Sequence, residues 1–264
     1  MYDKRGQREM VLKGILGIVV LGLLFLISPG LYSKDAGFKY LKNYSYGEYD
    51  HHPQNWGMVQ AKNGIIYVAN QAGVLEFDGV SWRVIYDPPS KVRSIAIDEA
   101  GTIYIGGIGE IGYLAPDEKG TLEYHSLLGY LPEKQKNFLD VWKTYASEKG
   151  VYFHTSKFLF RWDSRQMKVW EPRERFLFPF MCEGKLFVRP KTVGLMEMVN
   201  DSLKKVPGGE MFIERKIFMM VPYGSKRVLI GTREHGFYIY DGTTIMPFPT
   251  EVADYLKKNQ LYHG

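Results

Sequence analysis

The stretch from Asn63 to Arg83, NGIIYVANQAGVLEFDGVSWR, decides how the whole chain is to be read. Asn63-Gly64 opens a tight turn, Ile65 to Ala69 is a short run of β-branched and aromatic residues, and Asn70 to Gly73 is a loop. Val74 to Phe77 is a second strand. Asp78-Gly79 is a hairpin dipeptide, because turns that match strand twist need positive φ, which Asp and Gly tolerate. A third strand follows from Ser81 to Ile85. Helical spacing is absent.

The same pattern returns four times downstream. Ile66-Tyr67-Val68-Ala69-Asn70 aligns with Ile103-Tyr104-Ile105-Gly106-Gly107, Val151-Tyr152-Phe153-His154-Thr155, Leu186-Phe187-Val188-Arg189-Pro190 and Val228-Leu229-Ile230-Gly231-Thr232. Each run precedes a second strand: Ile111 to Leu114, Phe158 to Trp162, Gly194 to Met198 and Phe237 to Tyr240. A period of roughly 35 to 50 residues, with four short strands per unit, is the signature of propeller blades. The expected fold is all-β: five blades of four antiparallel strands over residues 55–264, with Asn259 to Gly264 opening a sixth, in an incomplete ring. Glu251 to Lys258 reads as a short helical turn.

Composition narrows the function classes. The net charge of +5 is modest for 264 residues, and Lys and Arg are interspersed with acids, so nucleic-acid binding by this segment is not expected. The single cysteine, Cys182, lies in an apolar run and reads as a small buried hydrophobe.

Residues 1–33 stand apart. Lys4, Arg5, Arg8 and Lys13 precede an apolar run from Gly14 to Ile27 of about fourteen residues, short of the ~20 that a comfortable membrane helix needs. Ser28-Pro29-Gly30 ends it. This is the pattern of a signal peptide ending near Ser33 or of an uncleaved anchor, and both export the remainder. Residues 34–54 read as a linker, or, through Phe38 to Tyr49, as a strand that closes the ring.

In a four-stranded blade, the loop entering the first strand and the loop after the second share one rim. Plain turns such as Asp98 to Gly101 and Asp117 to Gly120 fall at the opposite rim and need no functional account. The first rim carries chemically mixed segments, and from these come the candidate ligand-binding residues: Asn70, Arg93, Glu110, Trp142, His154, Lys157, Arg189, Arg233 and His235. Each has a bland alternative. His154 and Arg189 replace the small residues Ala69, Gly106 and Gly231, and a buried side chain satisfied by a backbone carbonyl is the simpler account. Arg93 and Glu110 are expected to pair with each other across blade two. Trp82, Trp142, Trp162 and Trp170 are expected to pack between blades, Trp142 nearest the mixed rim. His51-His52 lacks a third metal ligand at usable spacing, no G-x-S-x-G turn occurs, and no acid/base pair of carboxylates can be assigned. Neither a metal, a cofactor nor a catalytic group is expected.

The phrases NWGMVQ and NGIIYVANQAGVLEFDGVSWR, then KVRSIAID, GTIYIGG, GEIGYL and FLDVWKTYASEKGVYF, together resemble a known family. It is the N-terminal propeller of bacterial one-protein signalling receptors, the two-component-regulator propeller proteins, which include triple-tyrosine-motif regulators and hybrid two-component sensors. The likeness runs from about Asn43 to Gly264 and is strongest in blades one to three. It implies a non-catalytic, ligand-sensing propeller in the periplasm, homodimerisation, inner-membrane attachment and a cytoplasmic output such as a histidine kinase or a helix-turn-helix module. An oligosaccharide is the ligand the family suggests. The sequence holds no output module, so it reads as a receptor segment. A propeller enzyme of lactonase or lyase type, built on His154, Arg189 and an acid, is the main alternative; a protein-binding scaffold is another.

Overall fold

Among the described residues, twenty strands form five separate antiparallel sheets, each taking its four strands in chain order. Blade one is β1 (Asn55–Gln60), β2 (Ile66–Asn70), β3 (Gly73–Phe77) and β4 (Trp82–Tyr86). Blade two is β5 (Val92–Ile97), β6 (Ile103–Gly107), β7 (Ile111–Pro116) and β8 (Leu122–Ser126). Blade three is β9 (Val141–Ser147), β10 (Gly150–Thr155), β11 (Leu159–Trp162) and β12 (Met167–Trp170). Blade four is β13 (Phe180–Cys182), β14 (Lys185–Val188), β15 (Met196–Val199) and β16 (Ser202–Lys205). Blade five is β17 (Ile217–Pro222), β18 (Val228–Thr232), β19 (Phe237–Tyr240) and β20 (Ile245–Phe248). This is a computed structural model; it describes residues 41–262 except 87 and 89. The leader and residues 34 to 40, with the expectations placed on them, lie outside the described residues.

The blades stack because their middle strands are apolar on both faces. In β10, Val151 and Phe153 face blade two, in a core with Tyr104, Ile111 and Val141, while Tyr152 faces blade four with Leu186 and Val188. A strand buried on both sides reads as a continuous apolar run, and this is why the five runs were legible in the sequence. Similar cores join blade one to two and blade four to five. Cys182 is buried in the last of these, as expected, and burial pushes its thiol up to about 11.

The ring is open. Among the described residues, no hydrogen bond, ion pair or ring contact joins blade five to blade one. The outward face of blade one is covered instead by Tyr44 and by Tyr49 of α1 (Tyr46–Tyr49), packed on Val68, Leu75 and Trp82. That part of the expected closing strand is therefore a helical turn. Trp82 packs there, stacked on Phe77 at 4.6 Å, and not between two blades. At the other end, α2 (Ala253–Asn259) forms where a helical turn was expected, and Leu261 follows it onto blade five. A Cβ on Gly231 would stand 2.9 Å from Leu261 Cδ2, and a Cβ on Gly106 would stand 2.4 Å from Val141 Cγ1. Leu261 thus stands to blade five as Val141, the first residue of blade three, stands to blade two.

Candidate functional site

The first strand of every blade but the fourth carries a bulge near its start. The pairing register skips between Asn55 and Gly57, between Val92 and Ser94, opposite His154 and Thr155 in β9, and between Ile217 and Met219. The extra residues are Trp56, Arg93, Trp142 and Phe218. A bulge bends the strand and re-aims one side chain, and here the same position is re-aimed in four blades.

In blades one to three the re-aimed side chains meet. The Arg93 guanidinium lies 4.3 Å from the Trp56 ring centre and 5.6 Å from that of Trp142, and the two indoles meet edge-on at 6.3 Å. Arg93 Nε donates to Asp140 Oδ1 at 2.7 Å, with the Arg93 side chain 13% and the Asp140 side chain 20% exposed. Arg93 Nη1 is buried without a hydrogen-bond partner. Trp56 remains 37% exposed, so the cluster presents an open indole backed by a fixed charge. Below it, Ser94 Oγ bonds the Val141 carbonyl at 2.7 Å and Thr144 Oγ1 at 2.7 Å, locking the inner strands of blades two and three together. In blade five, Phe218 meets Tyr262 at 6.1 Å, repeating the aromatic contact one blade on from Leu261.

Of the nine sequence candidates, only Arg93 and Trp142 come together in this cluster. Arg93 does not pair with Glu110. The bulge turns Arg93 toward Asp140 on the next blade, while Glu110, in the β6–β7 loop, faces β8 and accepts from Tyr124 OH at 2.9 Å and Ser126 Oγ at 2.6 Å. Burial and then Glu110 push the Tyr124 phenol up. Asn70 is fully buried and spent on structure: Nδ2 donates to the His52 carbonyl and to Asn55 Oδ1, and Oδ1 accepts from the Ala72 amide. Arg189 Nη1 donates to the carbonyls of Phe212 and Ile213, at 2.8 and 3.3 Å, where the chain enters blade five. Arg233 is held by Gln260, beside Glu234, and His235 lies exposed in the same loop, its amide bonded to Thr232 Oγ1 at 3.1 Å.

His154 is 2% exposed, and neither ring nitrogen has a hydrogen-bond partner. Burial pulls its pKa down to about 3; the Leu177 backbone opposes this, and Arg175 and Lys143 reinforce it. Its ring tilts toward Phe176 at 6.3 Å. His154 and Arg189 are thus committed to different blade junctions, and among the described residues neither bonds an acid. The convergence that a lactonase- or lyase-like site would need is not formed by these two. Lys157 is exposed on the wall of a rim groove of about 420 Å³ and donates to the Asn137 carbonyl at 3.2 Å.

Two parts of the cluster were missed from sequence. Trp56 and Asp140 each carried a signal, since Trp56, Arg93 and Trp142 sit one residue into successive inner strands and Asp140 precedes the third.

No family model and no curated protein matches the sequence. Solved structures with the same fold do. Virginiamycin B lyase from Staphylococcus aureus is 12% identical, with a TM-score of 0.53 over 76% of this chain and 71% of that one. The extracellular domain of a hybrid two-component system from B. thetaiotaomicron is 13% identical, with a TM-score of 0.52 over 72% of this chain and 27% of that one. PorZ, a surface component of the type-IX secretion system of Porphyromonas gingivalis, is 13% identical, with a TM-score of 0.54 over 75% and 26%. At these identities the likeness establishes the β-propeller fold, shared by an enzyme and by non-catalytic proteins alike.

Proposed function

We propose that this chain is the ligand-sensing segment of an exported bacterial signalling receptor, and that its ligand is an oligosaccharide stacked at the Trp56–Arg93–Trp142 mouth. The observation that carries the reading is the repeated bulge. Three blades spend the same irregular position on delivering two indoles and a guanidinium to one point, and packing alone does not need that. An indole face takes the C–H face of a sugar ring, and charged and amide groups nearby take its hydroxyls. The family resemblance of the N-terminal phrases supports the same reading, as does the hybrid two-component fold relative.

The mechanism is a population shift. The cluster touches blades one, two and three, so a ligand that bridges them favours the arrangement in which all three are docked. The basic, apolar leader would export the segment to the periplasm and, if retained, tether it to the inner membrane. A second copy of the chain is the partner the family resemblance suggests, with a histidine kinase or helix-turn-helix module as the output.

Thermal-shift screening of the purified chain against neutral oligosaccharides tests the proposal. A ligand present at about a hundredfold its Kd stabilises by roughly 2.7 kcal/mol, a rise on the order of 5–10 °C for a domain of this size. At least one probe is expected to give such a rise, and Trp142→Ala to abolish it. A flat response across the panel, or a rise that Trp142→Ala leaves intact, overturns the proposal.

A further inference from the structure

We infer that the saccharide taken at this mouth is an anionic one, its carboxylate or sulfate group seated in the groove between blades three and four. The inference rests on the mouth being the ligand site. It is carried by a charge arrangement that the fold itself does not explain.

The groove, about 420 Å³, is lined by Leu139, Lys157, Glu171, Arg173, Glu174 and Arg175 among others. Its volume falls in the range of small-ligand sites. Arg173 and Arg175 are exposed and, among the described residues, make neither ion pair nor hydrogen bond. Of the two acids, Glu174 is already engaged, with one carboxylate oxygen accepting from the Thr192 amide at 3.1 Å and the other from its hydroxyl. That leaves Glu171 as the single unengaged carboxylate beside two unengaged guanidiniums and the Lys157 ammonium.

Arg175 also bears on a buried pair outside the groove lining. Lys143, paired opposite His154 in the blade-three sheet, is half-buried, and burial pulls its pKa down. His154 is buried beside the Leu177 backbone, and Arg175 and Lys143 both disfavour its charged form. Lys157, Arg173 and Arg175 outnumber the two carboxylates of the lining, and a groove of net positive charge favours an oxyanion. A guanidinium fork matches the two oxygens of a carboxylate or sulfate in geometry as well as charge.

Groove and mouth share one wall. Within the segment 137–142, Leu139 lines the groove, Asp140 holds Arg93, and Trp142 completes the aromatic pair. A chain of sugars stacked on the indoles therefore needs to cross only this segment to place an acidic substituent beside Arg173 and Arg175.

Isothermal titration of the full chain separates the possibilities. The probes are galacturonate, glucuronate and sulfated oligosaccharides, each beside its neutral counterpart (carboxyl-reduced or desulfated). The wild type is expected to bind at least one acidic probe about tenfold or more tighter than its counterpart, the scale of a charge-assisted hydrogen bond. Arg173→Gln with Arg175→Gln should erase that advantage and leave neutral binding unchanged, and Trp142→Ala should remove both. If no acidic probe exceeds its counterpart while neutral probes bind through Trp142, the inference is overturned and the mouth stands. Acidic binding that survives Trp142→Ala also overturns it, by separating groove from mouth. Absence of binding by every probe takes down both. Whether the carboxylate or the sulfate arm binds identifies the group.

Discussion

Asp201→Asn is expected to destabilise the propeller by about 3 kcal/mol, the scale for leaving a buried charge without its partner, read as a drop on the order of 10 °C in melting temperature. Asp201 lies in the two-residue β15–β16 turn of blade four, where Asn200 and Asp201 both have positive φ, at 48° and 61°. Asn tolerates that conformation, so the substitution removes charge without straining the turn. What it breaks is the tie between blades three and four. Arg161, with a side chain 10% exposed, grips both Asp201 oxygens, Lys168 Nζ adds a bond at 2.8 Å, and Trp170 Nε1 donates to the Asp201 carbonyl at 3.0 Å. Hydrogen bonds from Arg161, then Lys168, hold the Asp201 carboxyl down at about 2, below its ordinary 3.8. A depressed folded pKa means that its stabilisation is complete above about pH 4 and is lost as the pH falls toward 2. The gap in melting temperature between wild type and Asp201→Asn should therefore close across that window. A gap independent of pH would show that the turn, and not the ion pair, sets the cost.

Arg93→Met comes next in size, at about 2–4 kcal/mol, because it strands a largely buried Asp140 and removes a cation held against two indoles. Met preserves much of the volume, so the loss reports the charge and its plane. Arg93→Lys should recover only part of it, since an ammonium cannot lie flat against Trp56 while reaching Asp140. Chemical denaturation of Arg93→Met, Asp140→Asn and the double variant measures the coupling directly. Additive effects would place the importance of Arg93 elsewhere than in this pair.

The blades were legible because their logic is local. Asp78-Gly79 and Asp241-Gly242 mark hairpins, with Gly79 and Gly242 at φ of 99° and 97°, and runs such as Val151 to Thr155 announce strands buried on both faces. The candidate site was legible only as a rim. A bulge has no dipeptide signature, so nothing in V-R-S says that Arg93 turns away from Glu110 toward an acid 47 residues along the chain. Blade four was the least readable. Its first strand, from Phe180, covers just three residues. The large side chains of His154 and Arg189 fill the space that Gly106 and Gly231 leave open for the next inner strand. The Asp201 network escaped notice because Arg161 reads as one polar residue in an apolar run until the neighbouring blade supplies its partner.

Tryptophan fluorescence of the purified chain, titrated with the acidic and neutral oligosaccharides in wild type, Trp56→Phe and Trp142→Phe, tests the central claim most directly. The account predicts a saturable change in the wild type that shrinks in each variant, because both indoles face the same ligand. A saturable change carried undiminished by both variants would place the ligand away from the bulges and contradict it.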